Sequence, residues 1–181
     1  MQASLSSEET LFFTIDFQEK LMPAMVNKED LLKNAVILIQ IAKALKCPII
    51  VTEQYPKGLG KTQTEILELI EAKDVIEKNT FSACTEEVHG LLKDCGRQKI
   101  IVSGIETHIC VFQTVRDLIQ WGYEVYVVED AVSSRKAENK ANALALMRDM
   151  GAVVMNTETL LFDLLKSSLH PEFKNLSKLI K

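Results

Sequence analysis

Short apolar runs alternate along this chain with longer stretches whose apolar residues recur every three or four positions. LFFTID (11–16), CPIIVTE (47–53), DVIEK (74–78), KIIVSGI (99–105), EVYVVED (124–130) and AVVMN (152–156) are too short for buried helices and rich in β-branched and aromatic residues, so they read as strands. Between them, 30–46 reads as a helix with Leu32, Ala35, Val36 and Ile39 on one face, 64–72 as a short helix, and 85–95 as a helix ended near Gly96. Residues 108–121 read as a helix with Val111, Val115, Leu118 and Ile119 inward. Residues 136–150 form another, with Ala137, Ala141, Leu144 and Ala145 aligned and Gly151 beyond its end. The residues after 156 read as helical. Near-continuous apolar strands separated by helices predict a parallel sheet covered on both faces. The fold class is therefore α/β: one three-layer α/β/α domain over 1–181, with a Rossmann-like, mostly parallel six-stranded sheet.

In such sheets ligands gather at the carboxyl ends of strands, which makes the polar residues just past each run informative. Asp16 ends the first strand and Lys78 the third. Cys110 follows the fourth, in the first turn of its helix. With Thr107 as N-cap, Cys110 takes the third helical position, where free N–H groups and the helix dipole favour a thiolate. A nearby ammonium would lower the thiol pKa further, and a carboxylate could take its proton. Each residue also has a structural reading: Cys110 as core, Asp16 as a cap, Lys78 as a solvated strand end.

Composition narrows the function without choosing it. A formal net charge of -4 argues against nucleic acid as a partner, because such binding rests on Lys and Arg neutralising phosphates. No run of eighteen apolar residues exists, so no membrane helix is expected. The polar, acidic start MQASLSSEET lacks the pattern of a secretory or transit signal, which points to the cytoplasm. Cys47, Cys84, Cys95 and Cys110 are widely spaced with no C-x-x-C pair, and a chain of this size needs no disulfide staples. The three histidines, His89, His108 and His170, have no metal-ligand spacing.

Four segments, "TIDFQ", "VTEQYPKGLGKT", "EKNTFSA" and "VSGIETHIC", stand in order at the ends of the first four strands. Through them the chain resembles the isochorismatase-like cysteine hydrolase superfamily, from Leu11 to about Leu165. The resemblance implies a catalytic triad of Asp16, Lys78 and Cys110. It also implies a cis peptide at Ile105–Glu106 and an oxyanion hole built from the Glu106 and Cys110 amides. Metal-dependent relatives carry Asp and His after the second strand. Glu53-Gln54-Tyr55-Pro56-Lys57 stands there instead, so neither metal nor cofactor is expected. The resemblance is to the small metal-free branch.

Phe17, Gln18, Gln54, Tyr55 and Phe81 fall near the same strand ends. Gln18 and Gln54 read as amides that orient a substrate carbonyl, and the aromatics as core or pocket wall. His108, two residues before Cys110, reads as a cleft wall, a proton donor or an exposed first-turn residue. The resulting expectation is a hydrolase that cleaves a small-molecule amide through a thioester. The alternatives are a silent interaction protein of the same fold and, less favoured for want of a resolving thiol, a redox-active cysteine protein. Relatives of this kind commonly assemble, and the helix 108–121 with Trp121 and Tyr123 at its end offers an apolar flank, so a homo-oligomer is expected.

Overall fold

The structure is a computed structural model and describes residues 4–181. Six strands form one sheet: β1 (Thr10–Ile15), β2 (Ile49–Gln54), β3 (Val75–Lys78), β4 (Lys99–Ile105), β5 (Glu124–Ser133) and β6 (Val153–Met155). Every pairing is parallel, in the order β3-β2-β1-β4-β5-β6. The main helices are α1 (Lys28–Ala44), α4 (Glu86–Cys95), α5 (Phe112–Gln120), α6 (Ala137–Asp149) and α7 (Thr157–Leu165); single turns α2 (Pro56–Leu59), α3 (Thr64–Leu67) and α8 (Phe173–Leu176) complete the set.

The two-residue period of β1 builds both faces. Leu11, Phe13 and Ile15 join Val88 and Leu92 of α4, Val115 and Leu118 of α5, and Leu144 and Met147 of α6. Phe12 joins Ile37, Leu38 and Ile41 of α1 and Leu160, Leu161 and Leu164 of α7 on the other side. Each such side chain contributes about 1.5–3 kcal/mol of transfer free energy, which is why a run that is apolar at every position belongs in the middle of three layers.

Several elements differ from their sequence reading. On α6 the buried residues are Ala143, Leu144 and Met147, while Ala137, Ala141 and Ala145 face solvent. An alanine gives up little surface, so the bulkier Leu and Met decide the rotation of the helix. The helix expected over 64–72 closes after one turn at Leu67. The fifth strand runs to Ser133, three residues past its expected end, because the β4–β5 register slips between Val102 and Gly104: Val102 pairs with Val127 and Gly104 with Val132. Gly104 sits at φ +148, and a Cβ there would lie 2.5 Å from the Ile15 carbonyl oxygen, so no side chain fits where β4 crosses the end of β1.

Candidate active site

The strand order places the end of β1 at the centre of the sheet, with β2 and β3 to one side and β4 to the other. Asp16 leaves β1 in the left-handed region at φ 56, a conformation aspartate tolerates, and is fully buried. Its Oδ1 accepts from Thr52 Oγ1 at 2.8 Å and its Oδ2 from Lys78 Nζ at 2.6 Å. β3 lies two strands away, a span of about 10 Å, so only a long side chain such as lysine reaches Asp16 from there. Lys78 crosses the end of β2, where Gln54 Oε1 accepts from it at 2.9 Å, and the Thr80 and Phe81 carbonyls accept at 3.2 Å each. Both side chains of the ion pair are shut away from solvent. A desolvated charge pair persists only when its remaining hydrogen-bonding capacity is met, and here Thr52, Gln54 and two carbonyls meet it.

Cys110 comes from the other side. The Ile105–Glu106 peptide is cis, and Thr107–Val111 form a π turn before α5 begins at Phe112. The turn is not the α-helical start expected from the sequence: Thr107 is no cap, and its buried hydroxyl has no partner. Thr114 Oγ1 donates to the Cys110 carbonyl at 2.6 Å and accepts from Ala83 N–H at 2.9 Å, which ties the turn to the loop after β3. The Cys110 thiol donates to the Asp16 carboxylate, and the Glu106 backbone amide hydrogen-bonds the sulfur.

Electrostatics correct the expectation of a resting thiolate. Burial first, then the Asp16 charge, pushes the Cys110 thiol up to about 12; Lys78 and the Glu106 amide oppose this without overcoming it. Burial likewise raises Asp16 above its ordinary value, against the pull of Lys78, Thr52 and Cys110. The geometry is that of a neutral thiol held against its base, with the positive charge one bond further out.

The other expected site residues separate into two groups. Phe17 and Gln18 are fully buried. Gln18 Nε2 donates to the Gln54 and Gly60 carbonyls at 2.9 and 2.8 Å, and its Oε1 accepts from Gln54 N–H at 2.7 Å, so both donors of this buried amide are spent on holding the loop after β2. Phe17 packs with Met22, Leu31, Ile66 and Ile105 as core. Gln54 orients Lys78 and donates to the Asn79 carbonyl at 3.0 Å. Tyr55 and Phe81 remain as exposed aromatics on the loops after β2 and β3, at 53% and 57% exposure, the available walls for a ligand. His108 is half-buried; its Nδ1 lies 3.0 Å from Ser134 Oγ and its Nε2 3.3 Å from Asn139 Nδ2. Asn139 donating to Nε2 leaves the ring proton on Nδ1, donated to Ser134. Trp121, offered above as an oligomer flank, stacks on His89 with centroids 4.1 Å apart and packs on the core with Tyr123.

Four contributors escaped the sequence reading: Thr52, Ser134, Arg135 and Asn139. Ser134 and Arg135 directly follow β5, a strand end hidden by the register slip, while Thr52 was read only as part of a strand. Among the described residues no group of three or more His, Cys, Asp or Glu could hold a metal ion, and no helix is long and apolar enough to cross a membrane.

The parallel α/β sheet brings an aspartate from the end of central β1, a cysteine from the turn after its neighbour β4 and a lysine from the end of edge strand β3 to one side of the molecule, a fold and arrangement shared by a class of α/β hydrolases. Residues 10–159 match the model of the isochorismatase domain, and this chain belongs to that family. It is 39% identical over 178 residues to "Isochorismatase family protein 1A" of Dictyostelium discoideum, covering 96% of this chain and 86% of that one. Among solved structures, one described as MAR1 ribonuclease from Caenorhabditis elegans superposes with a TM-score of 0.94 at 37% identity, covering 98% and 92% of the two chains. The YcaC gene product of Escherichia coli, described as an octameric hydrolase of unknown specificity, shares the fold with a TM-score of 0.89 at 21% identity, over 98% and 96%.

Proposed function

We propose that this protein is a cysteine-dependent hydrolase that cleaves the C–N bond of a small-molecule amide through a thioester. The observation that carries the reading is the buried chain of contacts from Lys78 to Asp16 to the Cys110 thiol. As sulfur attacks the carbonyl carbon, the thiol proton passes to Asp16, so no free thiolate has to form in a site that disfavours it. The carbonyl oxygen becomes an oxyanion and accepts from the Glu106 and Cys110 amides. Collapse breaks the C–N bond, and the amine leaves with the proton from Asp16. Water then attacks the thioester, Asp16 takes its proton, and the carboxylic acid and the Cys110 thiol are regenerated as that proton returns to sulfur. Lys78 keeps Asp16 ionised between these transfers. The scheme uses neither cofactor nor metal.

The ribonuclease description of the C. elegans neighbour supports a second reading only weakly in this chain, whose net charge is -4 and whose site cations are committed to buried carboxylates. A homo-oligomer, as the octameric E. coli neighbour suggests, and a reducing, cytoplasmic compartment, which the four free cysteines suit, complete the proposal. The test is a panel of small amides, with RNA as one arm, assayed for wild type and Cys110→Ala and followed by intact-mass detection of an acyl adduct. Amide turnover with an adduct, both lost in C110A, is the expected result. Hydrolysis that persists in C110A overturns the mechanism, and the absence of any turnover with an unlabelled thiol would favour an interaction protein of the same fold.

A further inference from the structure

Glu106 raises an electrostatic problem that the proposed chemistry does not address. It stands four residues before Cys110 on the same turn, its backbone amide faces the sulfur, and its own side chain is almost completely buried. A carboxylate in that position would repel both a developing oxyanion and a thiolate. Arg135 answers it. Its backbone N–H and its Nε both donate to the same oxygen, Glu106 Oε2, at 3.1 and 3.0 Å. Arg135 sits where β5 ends and α6 has not begun; Ser134 of the same loop and Asn139 of the first turn of α6 fasten this segment to the turn carrying Cys110, on either side of His108. The β5–α6 loop is thus tied to the turn carrying Cys110 by a buried charge and by an imidazole.

Resting on the hydrolase reading above, we propose that Arg135 is a positioning residue that neutralises the Glu106 carboxylate beside the oxyanion hole and holds the Glu106 amide in line with the Cys110 sulfur. The guanidinium itself is 60% exposed at its side chain and touches neither sulfur nor Asp16; it acts through Glu106. The charges facing Cys110 are Asp16 and Lys78 from β1 and β3, while His108 on its own turn is engaged with Ser134 and Asn139. Arg135 cancels the remaining one, contributed by Glu106.

The test is a double-mutant cycle on the full chain with Arg135→Gln, Glu106→Gln and both together. Two readouts are taken: the rate of Cys110 alkylation by iodoacetamide at fixed pH, with adduct mapping, and kcat and KM on any amide the panel identifies. In the Glu106 background, R135Q should slow alkylation about ten-fold, through an uncompensated negative charge, and lower kcat by a similar factor with KM little changed. In the Glu106→Gln background the same substitution should change either rate by less than about two-fold. Equal losses in both backgrounds would overturn the proposal and leave Arg135 a merely structural contact. Arg135→Lys, which keeps the charge and the backbone N–H but loses the Nε hydrogen bond, should fall between wild type and R135Q; thermal melts identify any variant that is simply unfolded. Alkylation needs no substrate, so the cycle still reads out if C110A shows that hydrolysis does not depend on this thiol. That result would sink the hydrolase reading separately.

Discussion

Cys84 and Cys110 make a controlled pair. Burial pushes both thiols up to about 12; Cys110 lies on the turn from the β4 end into α5, and Cys84 lies on the loop after β3 and reaches α5 from there. Cys84 donates to the Thr114 carbonyl at 3.6 Å, whereas Cys110 donates to the Asp16 carboxylate. A backbone carbonyl accepts a hydrogen bond and can do no more. A carboxylate can take the proton and return it. Under the proposed mechanism, thiol pKa therefore does not distinguish the two sulfurs; the identity of the acceptor does, together with the lysine behind it. The same comparison explains why a reactive group can survive in a dry interior: the resting site carries one closed ion pair and a neutral thiol.

The strongest way to break this comparison is to remove each sulfur in turn. Cys110→Ala should abolish turnover, while Cys84→Ala should leave kcat/KM within about two-fold; an active C110A or a dead, folded C84A would reverse the assignment. Asp16→Asn comes next. It cannot accept the thiol proton, and loss of a positioned base costs on the order of 10²–10⁴ in kcat. In wild type the same group sets the acidic limb of the pH profile. Asp16 acts only when ionised and burial raises its pKa, so activity should fall as pH drops through a midpoint above the usual carboxylate range. A midpoint at or below that range would contradict the buried-base account.

Lys78→Met should raise the pKa of both Asp16 and Cys110, since one positive charge serves both. Alkylation of Cys110 at fixed pH should slow, the acidic limb should move up, and kcat should fall about 10²-fold. Loss of the cation also leaves a buried carboxylate unpaired, a cost of about 3–5 kcal/mol where it stays ionised, so a lowered Tm that recovers at acid pH is expected. Thr52→Val sharpens the picture at smaller amplitude. It deletes the 2.8 Å hydrogen bond to Asp16 Oδ1, which favours the charged form, so the acidic limb should rise slightly with a few-fold loss of kcat. The smallest effect concerns metal. Dialysis against EDTA should leave activity unchanged, because Glu53, the first-choice ligand type near the end of β2, already accepts from Thr62 N–H at 2.7 Å and pairs with Lys61 at 3.4 Å; activity lost with the metal and restored by it would show a site assembled elsewhere.

The sequence by itself determined the architecture and the three residues that meet. Runs apolar at every position have no stable place except between two helical layers, whereas the register of β1 against β2 and β4 is set in three dimensions, since a strand buried on both faces carries no alternation that would fix it. Asp16 directly follows β1, Lys78 ends β3 and Cys110 stands five residues past β4, so parallel strands deliver all three to one edge, but it was the family resemblance rather than position that singled them out as a set. What the tertiary structure alone decided is how those residues are held and in what protonation state. Gln18 and Phe17 share the strand end with Asp16, yet their side chains face the loop and the core, a direction that sequence proximity does not specify. Thr52 became a partner of Asp16 only through strand pairing, and Lys78 reached it only because β2 lies between β1 and β3. Ser134 and Arg135 were masked by the register slip between Val102 and Gly104, which carries β5 past its apolar run and which no local pattern reports. The thiol stays protonated because desolvation, a property of the surrounding core, outweighs both the lysine and the amides of the turn.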